Sequence, residues 1–419
     1  MKLKLSSIAN GIMYFLILCN LSIVKILPIF TQTTVSWINL SASIGLLLLL
    51  LIFKKGSAIP NYYVKMIVLL VVFISAEGIS TVIRYNYSVS NTFYAGFRWA
   101  FLLLAPFVFC TLKHISFHKI LNFIAFGIAL SSLMRIILSW YYGLTGVYLF
   151  SDMAFEFNAE NWIRNGVLRV NMPWLLALFP ALWFWLFDRR RKKAASMLYI
   201  AELVIVVYYV VFILQARAII LYQAASFIMI WLIKRKSSLK QLVLVFILLM
   251  AGIAFINSDY FTNLLNSFFN DTALGGAASH RLQTIDWFFS KFASNPLFGA
   301  GMLVDADLHA GLESGHITDI GILGGIFQYG LCGIVVYFFF FGRWIKVAAT
   351  LRKMGDENSL LAIGMIWCIL LFEINIHCFA SARMAEVPFI SAIFEYLLYQ
   401  SKMKNPESAC NDGRRYKLV

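Results

Sequence analysis

The stretch IGLLLLLLIF at residues 44–53 decides the fold class, because none of its residues has a polar side chain. Within a bilayer, only helices and closed barrels satisfy all of their backbone hydrogen bonds. A barrel strand would alternate between apolar and polar residues, and this run does not alternate. The stretch therefore predicts a membrane-spanning helix.

Similar apolar runs recur along the whole chain. Of the 419 residues, 61% are hydrophobic and 13% are charged, whereas a soluble domain carries about 25% charged residues. We therefore predict an all-α polytopic membrane protein with about twelve transmembrane helices, each close to the roughly twenty residues that cross a bilayer. The predicted spans lie near residues 8–28, 35–53, 63–83, 97–112, 120–142, 172–187, 195–214, 218–233, 241–257, 319–342, 358–380 and 386–400.

The basic residues predict how these helices are oriented. They precede the first span or follow even-numbered spans, so the positive-inside tendency places both termini in the cytoplasm. Twenty-five of the 35 Lys and Arg residues fall on the inner side. The net charge of +15 therefore indicates topology, and it does not indicate nucleic acid as a partner.

Arginine is concentrated on the predicted outer side. Eight of the ten basic residues there are Arg, whereas Lys predominates on the inner side. A guanidinium group binds phosphate oxygens in bidentate fashion, so the bias favours a polyanionic ligand, with local pairing to acidic residues as the plainer alternative. The outer arginines are Arg84, Arg98, Arg135, Arg164, Arg169, Arg217, Arg281 and Arg383.

Three positions carry the functional prediction. Arg217, in QARA, lies at the tight outer connection between the seventh and eighth spans. Arg281 begins an amphipathic helical stretch in the large outer loop at 258–318, between the ninth and tenth spans. His316 precedes the Gly-rich tenth span, and histidine is the side chain most readily poised as a general base. Asp319, three residues later, is expected to orient the imidazole.

Plainer alternatives exist for each position: a snorkelling Arg, an interfacial anchor and a structural loop histidine. His280 is a weaker alternative base. The loop residues Asp305, Asp307, His309, Glu313 and His316 offer metal-ligating groups, but their spacing fits no ligand pattern. We therefore predict no metal and no other cofactor. Four polar residues within spans either stabilise the bundle or mark a cavity, namely Glu202, Glu373, His377 and Glu395.

The order and spacing of these motifs resemble the O-antigen ligase and O-antigen (polysaccharide) polymerase family of bacterial membrane glycosyltransferases. The matching segments are QARA, HRLQTIDWFFSKFASNPLFGAG and GHITDIGILGGIFQYGLCG. The resemblance covers residues 172–345, and the first five spans share only topology with the family. Ala216 stands where the family has Ser or Thr, and Ile317 stands where it often has Asn.

The resemblance implies a C-type glycosyltransferase-like fold and metal-independent transfer of a glycan from undecaprenyl pyrophosphate to a sugar hydroxyl. The reaction would take place at the outer, periplasmic face of the bacterial inner membrane. Arg217 and Arg281 would bind the pyrophosphate, and His316 would take the acceptor proton. Membrane lipids and other polysaccharide-assembly proteins are the further expected partners. The expected substrate-binding residues are Arg98, Arg135, Arg164, Arg169 and Asp319.

This interpretation divides the chain into an N-terminal bundle with its outer loop (1–171), a family core (172–345), two last spans (346–400) and a basic cytoplasmic tail (401–419).

Within the family, a repeat-unit polymerase is preferred to a ligase that joins the glycan to the lipid A-core of lipopolysaccharide. The alternative from another class is a polysaccharide transporter or flippase. A transporter predicts two similar halves, and no half-repeat is evident.

Overall fold

The protein's structure, a computed structural model, describes residues 5–27, 29–53, 59–149, 163–164, 167–170, 174–189, 193–234, 277–312, 316–374, 376–380 and 383–404. The predicted ninth span, part of the predicted outer loop and all but the first four residues of the basic tail lie outside these residues.

The first part of the chain forms long apolar helices and one minimal strand pair. A 3-10 segment (Phe97–Leu104) joins the fourth helix to the fifth, so that Val89–Leu112 is one continuous apolar stretch. The elements are α1 (Leu5–Asn20), α2 (Gln32–Phe53), α3 (Asn61–Tyr85), α4 (Val89–Gly96), α5 (Ala105–Leu112), α6 (Phe117–Thr145) and the antiparallel pair β1 (Ile163–Arg164) and β2 (Val167–Leu168).

The second part is also helical. A π-helical segment, Tyr209–Leu214, extends the eighth helix up to the connection at Gln215. The elements are α7 (Phe179–Asp188), α8 (Lys193–Tyr208), α9 (Arg217–Lys234), α10 (Ala277–Ser294), α11 (Asp305–Leu308), α12 (Ile322–Lys353), α13 (Ser359–Phe372) and α14 (Val387–Lys404).

The helices agree with the predicted membrane class. Every predicted span other than the ninth overlaps a described helix. Within the described residues, six stretches are long and apolar enough to cross a bilayer, while the count of twelve spans and their orientation stay predictions. Many large apolar side chains point outward, such as Ile83 and Leu144, as expected where acyl chains cover the surface. The six stretches are Thr33–Ile52, Asn61–Tyr85, Val89–Leu112, Phe117–Thr145, Ser196–Leu214 and Ile322–Lys353.

The Gly-rich helix α12 is interrupted at Gly330, where the backbone has φ +58°. This glycine breaks the helix. The break exposes backbone groups that pair with residues 296–301, and Ala300 N–H donates to the Phe327 carbonyl at 3.0 Å. A Cβ atom on Gly330 would lie 2.5 Å from the Pro296 carbonyl oxygen. The PLFGAG segment and the Gly-rich helix, predicted as separate motifs, therefore form one tightly paired unit.

Candidate functional site

The amphipathic helix that the sequence predicts is present as α10. Its apolar face packs against the loop that follows it, because Phe288 is fully buried beside Leu308, Ile317 and Phe327. The Phe288 ring also meets the His309 ring edge-on, with centroids 5.6 Å apart. This apolar cluster holds the segment from α11 to the start of α12 against α10, and the histidines of the loop lie within that segment.

His316 lies beside a carboxylate. Its Nε2 atom is 3.1 Å from Oδ2 of Asp305, and its Nδ1 atom is 2.9 Å from the Thr318 hydroxyl oxygen. The sequence expects Asp319 to orient the imidazole, and that role stays a prediction. Asp319 lies in the 3-10 turn Ile317–Ile320 and acts on the imidazole through its charge, whereas Asp305 makes the hydrogen bond.

His309 connects the two turns that carry this pair. Ile317 N–H donates to its Nε2 atom at 3.0 Å, and its Nδ1 atom lies 2.8 Å from the Asp305 carbonyl oxygen. A nitrogen that accepts from an N–H group cannot itself carry a proton, so the neutral ring is protonated on Nδ1 and donates to the carbonyl. The His309 and His316 rings are in contact, with centroids 4.2 Å apart.

The pKa values of the three groups shift in different directions. The hydrogen bond from His316 is the main cause that lowers the pKa of Asp305. Burial lowers the pKa of His316, but the hydrogen bond and charge of Asp305 and the charge of Asp319 outweigh burial, and the pKa lies above 6.5. Burial is the main cause that lowers the pKa of His309. Groups shifted by a specific partner at a half-exposed position are typical of functional sites.

Asp305, His309 and His316 also offer ligating atoms for a cation. Their ligating atoms lie within 4.8 Å of one another, and two histidines with one carboxylate are a known ligand set. A metal bond would require a lone pair on His309 Nδ1, where the ring carries its proton. His309 would have to give up its hydrogen bonds to both turns, and Asp307 is already bound by the Tyr87 hydroxyl. The residues as placed do not fit a resident cation. Glu313, the remaining acidic residue of the predicted cluster, lies outside the described residues.

Two arginines lie within electrostatic range of the Asp305–His316 pair. Arg98 lies within electrostatic range of Asp305, and Arg383 lies within range of His316. Arg281 lies within electrostatic range of the Tyr222 hydroxyl on α9. The Tyr222 ring contacts Phe372, with centroids 5.7 Å apart.

Phe372 ends α13, next to Glu373, whose carbonyl accepts the Ile322 N–H at 2.8 Å. Ile322 begins α12, directly after the His316 turn. Packed residues therefore link Tyr222 to the start of α12.

The remaining predicted site residues fall into two groups. Arg217 is the first residue of α9 and Arg164 ends β1, but their side chains, like that of His280, lie outside the described part of the structure. Arg169 donates to the Leu214 carbonyl at 2.8 Å, which fastens the strand pair to the turn before Arg217.

Some outer arginines bind backbone carbonyl groups of the protein. Arg135 is 1% exposed and donates to the Ser131 carbonyl at 2.9 Å within α6. Arg84 donates to the Gly299 carbonyl at 3.3 Å and to the Ser294 hydroxyl at 2.8 Å. Hydrogen bonds within the protein therefore account for some of the outer arginines. They do not support the prediction that Arg135 binds substrate.

The sequence names Asp305 and His309 only as metal-ligating groups and Arg383 only as an outer arginine, and it does not identify them as neighbours of His316. Asp305 and His309 stand at i and i+4, a spacing that places both on one face of a helical turn. That spacing is the signal that points to them. Arg383 comes from the connection before α14, far along the chain, and no local pattern links it to His316.

An apolar cavity of about 460 Å³ lies beside this region, between α3 and α4. Gly78, Val82 and Phe93 are among its lining residues. Met302, which directly follows the PLFGAG segment, also lines it. Met302 precedes Asp305 by three residues, so the chain that lines the cavity leads into the loop that carries the histidine pair.

No protein-family model matches the chain, and no curated protein matches it either.

Proposed function

We propose that the protein is a membrane glycosyltransferase of the O-antigen polymerase and ligase type. It transfers an undecaprenyl-pyrophosphate-linked glycan onto a sugar hydroxyl at the outer face of the inner membrane. The observation that carries the proposal is the half-exposed Asp305–His316 pair, with Arg98 and Arg383 in electrostatic range. A general base and guanidinium groups are what this reaction requires when no metal takes part.

The chemistry assigns a role to each group. His316 takes the proton from the acceptor hydroxyl as its oxygen bonds to the anomeric carbon of the donor. The bond from that carbon to the pyrophosphate oxygen breaks, and the lipid pyrophosphate leaves with its negative charge. Arg217 and Arg281 bind that charge as it develops, because fixed positive charge stabilises a developing anion.

The lipid part of the donor needs an apolar site near the same residues. The cavity between α3 and α4 has apolar walls, and Met302 connects it to the loop region. It supports the proposal as a place for the first isoprenoid units, with the pyrophosphate directed towards the arginines.

A strain lacking the gene provides the test. A polymerase predicts that a single repeat unit caps the surface lipid, because chains are no longer extended. Long chains stranded on undecaprenyl pyrophosphate would instead identify the ligase. An unchanged glycan profile, with the deletion verified, would contradict the proposal.

A further inference from the structure

The two ring nitrogens of His316 have different partners. The Asp305 carboxylate lies 3.1 Å from Nε2, and the Thr318 hydroxyl lies 2.9 Å from Nδ1. The Thr318 backbone N–H also points at Nδ1, at 3.4 Å. An ionised carboxylate only accepts hydrogen bonds, so the nitrogen that faces it carries the proton. The neutral imidazole therefore has its lone pair on Nδ1.

The carboxylate is held in place from the other side. His309 bridges α11 to the Ile317–Ile320 turn through one hydrogen bond to each. The Tyr87 hydroxyl binds Asp307 and also accepts the Val304 N–H at 3.3 Å. The short α11 helix is thus fastened at both ends, although Asp305 is 60% exposed. Its position does not depend on burial of the carboxylate.

We propose that Asp305 is a positioning residue that keeps the proton on Nε2 of His316, an inference that rests on the proposed function. Nδ1 is then the atom that receives the acceptor proton, once the acceptor hydroxyl takes the place of the Thr318 hydroxyl beside that nitrogen. The proton moves from the acceptor oxygen to Nδ1, and the Asp305 carboxylate balances the imidazolium. His309 braces the turn that carries Asp305.

Several charged groups face this pair, and the test must separate them. Asp319 lies on the same turn as His316, whereas Arg383 and His377 approach from the segment between α13 and α14. Arg98 acts on Asp305, and Lys291 of α10 acts on His309. A comparison of Asp305→Asn with Asp319→Asn removes one negative charge in each case, and only the first loses the charged hydrogen-bond partner.

The first measurement does not depend on activity. The full chain is labelled with ¹⁵N-histidine and placed in lipid nanodiscs, and His316→Gln assigns the His316 signal. We expect Asp305→Asn to lower the pKa of His316 and to reduce the fraction protonated on Nε2. Asp319→Asn should cause a smaller shift. An unchanged His316 signal in Asp305→Asn, or a larger change in Asp319→Asn, would overturn the proposal.

The second measurement is the pH profile of glycan transfer. A general base must be unprotonated, so the rate falls as the pH falls through the pKa of His316. Asp305→Asn lowers that pKa, which moves the acidic limb to lower pH. The plateau should drop at least about tenfold, a part of the roughly 10²–10⁴-fold that a general base contributes. The KM for the donor should stay unchanged, since Asp305 does not bind it.

The variants also separate this inference from the proposed function. Asp305→Glu retains the charge and should keep the acidic limb near the wild-type pH, even if the rate falls. If His316→Ala abolishes transfer while Asp305→Asn retains the wild-type rate and limb, only the role of Asp305 is contradicted. If the wild type transfers no glycan, the proposed function fails, and the histidine signals alone decide the role of Asp305. Loss of activity with a chelator, restored by Zn²⁺, would overturn the proposal in favour of a bound cation.

Discussion

Two acid–base pairs in this protein have opposite surroundings. Arg343 and Glu395 form a bidentate pair with distances of 2.5 and 2.8 Å, and the Glu395 side chain is 2% exposed. The Asp305–His316 pair has one contact of 3.1 Å, and its side chains are 60% and 31% exposed. The first pair joins α12 to α14 inside the bundle, and the second lies in a partly exposed loop.

The difference separates charges that hold the fold from charges suited to chemistry. The sequence leaves two roles open for Glu395, and its bond to Arg343 assigns it to the stability of the bundle. A buried pair with complete hydrogen bonding has no proton to exchange with a substrate. A half-exposed histidine beside a carboxylate can take up a proton from a substrate.

The largest expected effect on activity comes from His316. Replacing it by Ala should reduce glycan transfer by about 10²–10⁴-fold, the contribution of a general base. Thermal unfolding should change little, because His316 is half-exposed. The matched control is His114→Ala, at an exposed position in the turn before α6, which should retain the full rate. A His316→Ala enzyme with wild-type activity would remove the distinction between the two pairs.

The buried pair predicts an effect on stability instead. Arg343→Met leaves the Glu395 carboxylate without its cation and should cost about 3–5 kcal/mol of unfolding free energy. The double variant Arg343→Met/Glu395→Leu should recover much of that loss. Unfolding in detergent measures both variants, and the folded fraction of the double variant should keep its specific activity. A double variant that is no more stable than the single one would contradict the structural role.

The interruption of α12 predicts a smaller loss. Gly330→Ala places a Cβ atom 2.5 Å from the Pro296 carbonyl at a positive φ, and strain of this kind costs about 1–3 kcal/mol. The control is Gly342→Ala in the same helix, where no atom lies within 4 Å. That change should stabilise the protein by roughly 0.5–1 kcal/mol. Equal thermal stability of the two variants would show that the paired unit is not rigid.

The smallest expected effect on activity comes from replacing the planar guanidinium group of Arg281. Arg281→Lys keeps the charge but loses the planar fork, and transfer should fall about tenfold, or roughly 1.4 kcal/mol. The control is Arg352→Lys, near the C-terminal end of α12 and far along that helix from the His316 turn, which should leave the rate unchanged. An Arg281→Lys enzyme with full activity would make Arg281 an anchor and reduce the site to the histidine pair.

Local patterns predict most of the helices and part of the site. The apolar runs give the spans, and the spacing of Trp287, Phe288 and Phe292 gives α10. The sequence offers Asp305 only as a metal-ligating group, because its link to His316 depends on the turn between them, which has no periodic signal. The break at Gly330 is likewise a tertiary feature, since its backbone partners lie some thirty residues earlier. At Arg135 the sequence pattern suggests more than the structure supports. An Arg on the outer side suggests a ligand, but the Arg135 guanidinium group donates to the Ser131 carbonyl within α6.

The most direct test is a reconstituted transfer reaction. The purified full chain is placed in proteoliposomes with an undecaprenyl-pyrophosphate-linked oligosaccharide and a chelator. The account predicts covalent extension or transfer of the glycan with release of undecaprenyl pyrophosphate by the wild type, and neither by His316→Ala. Movement of the intact donor across the bilayer without any new glycosidic bond would contradict it and favour a transporter.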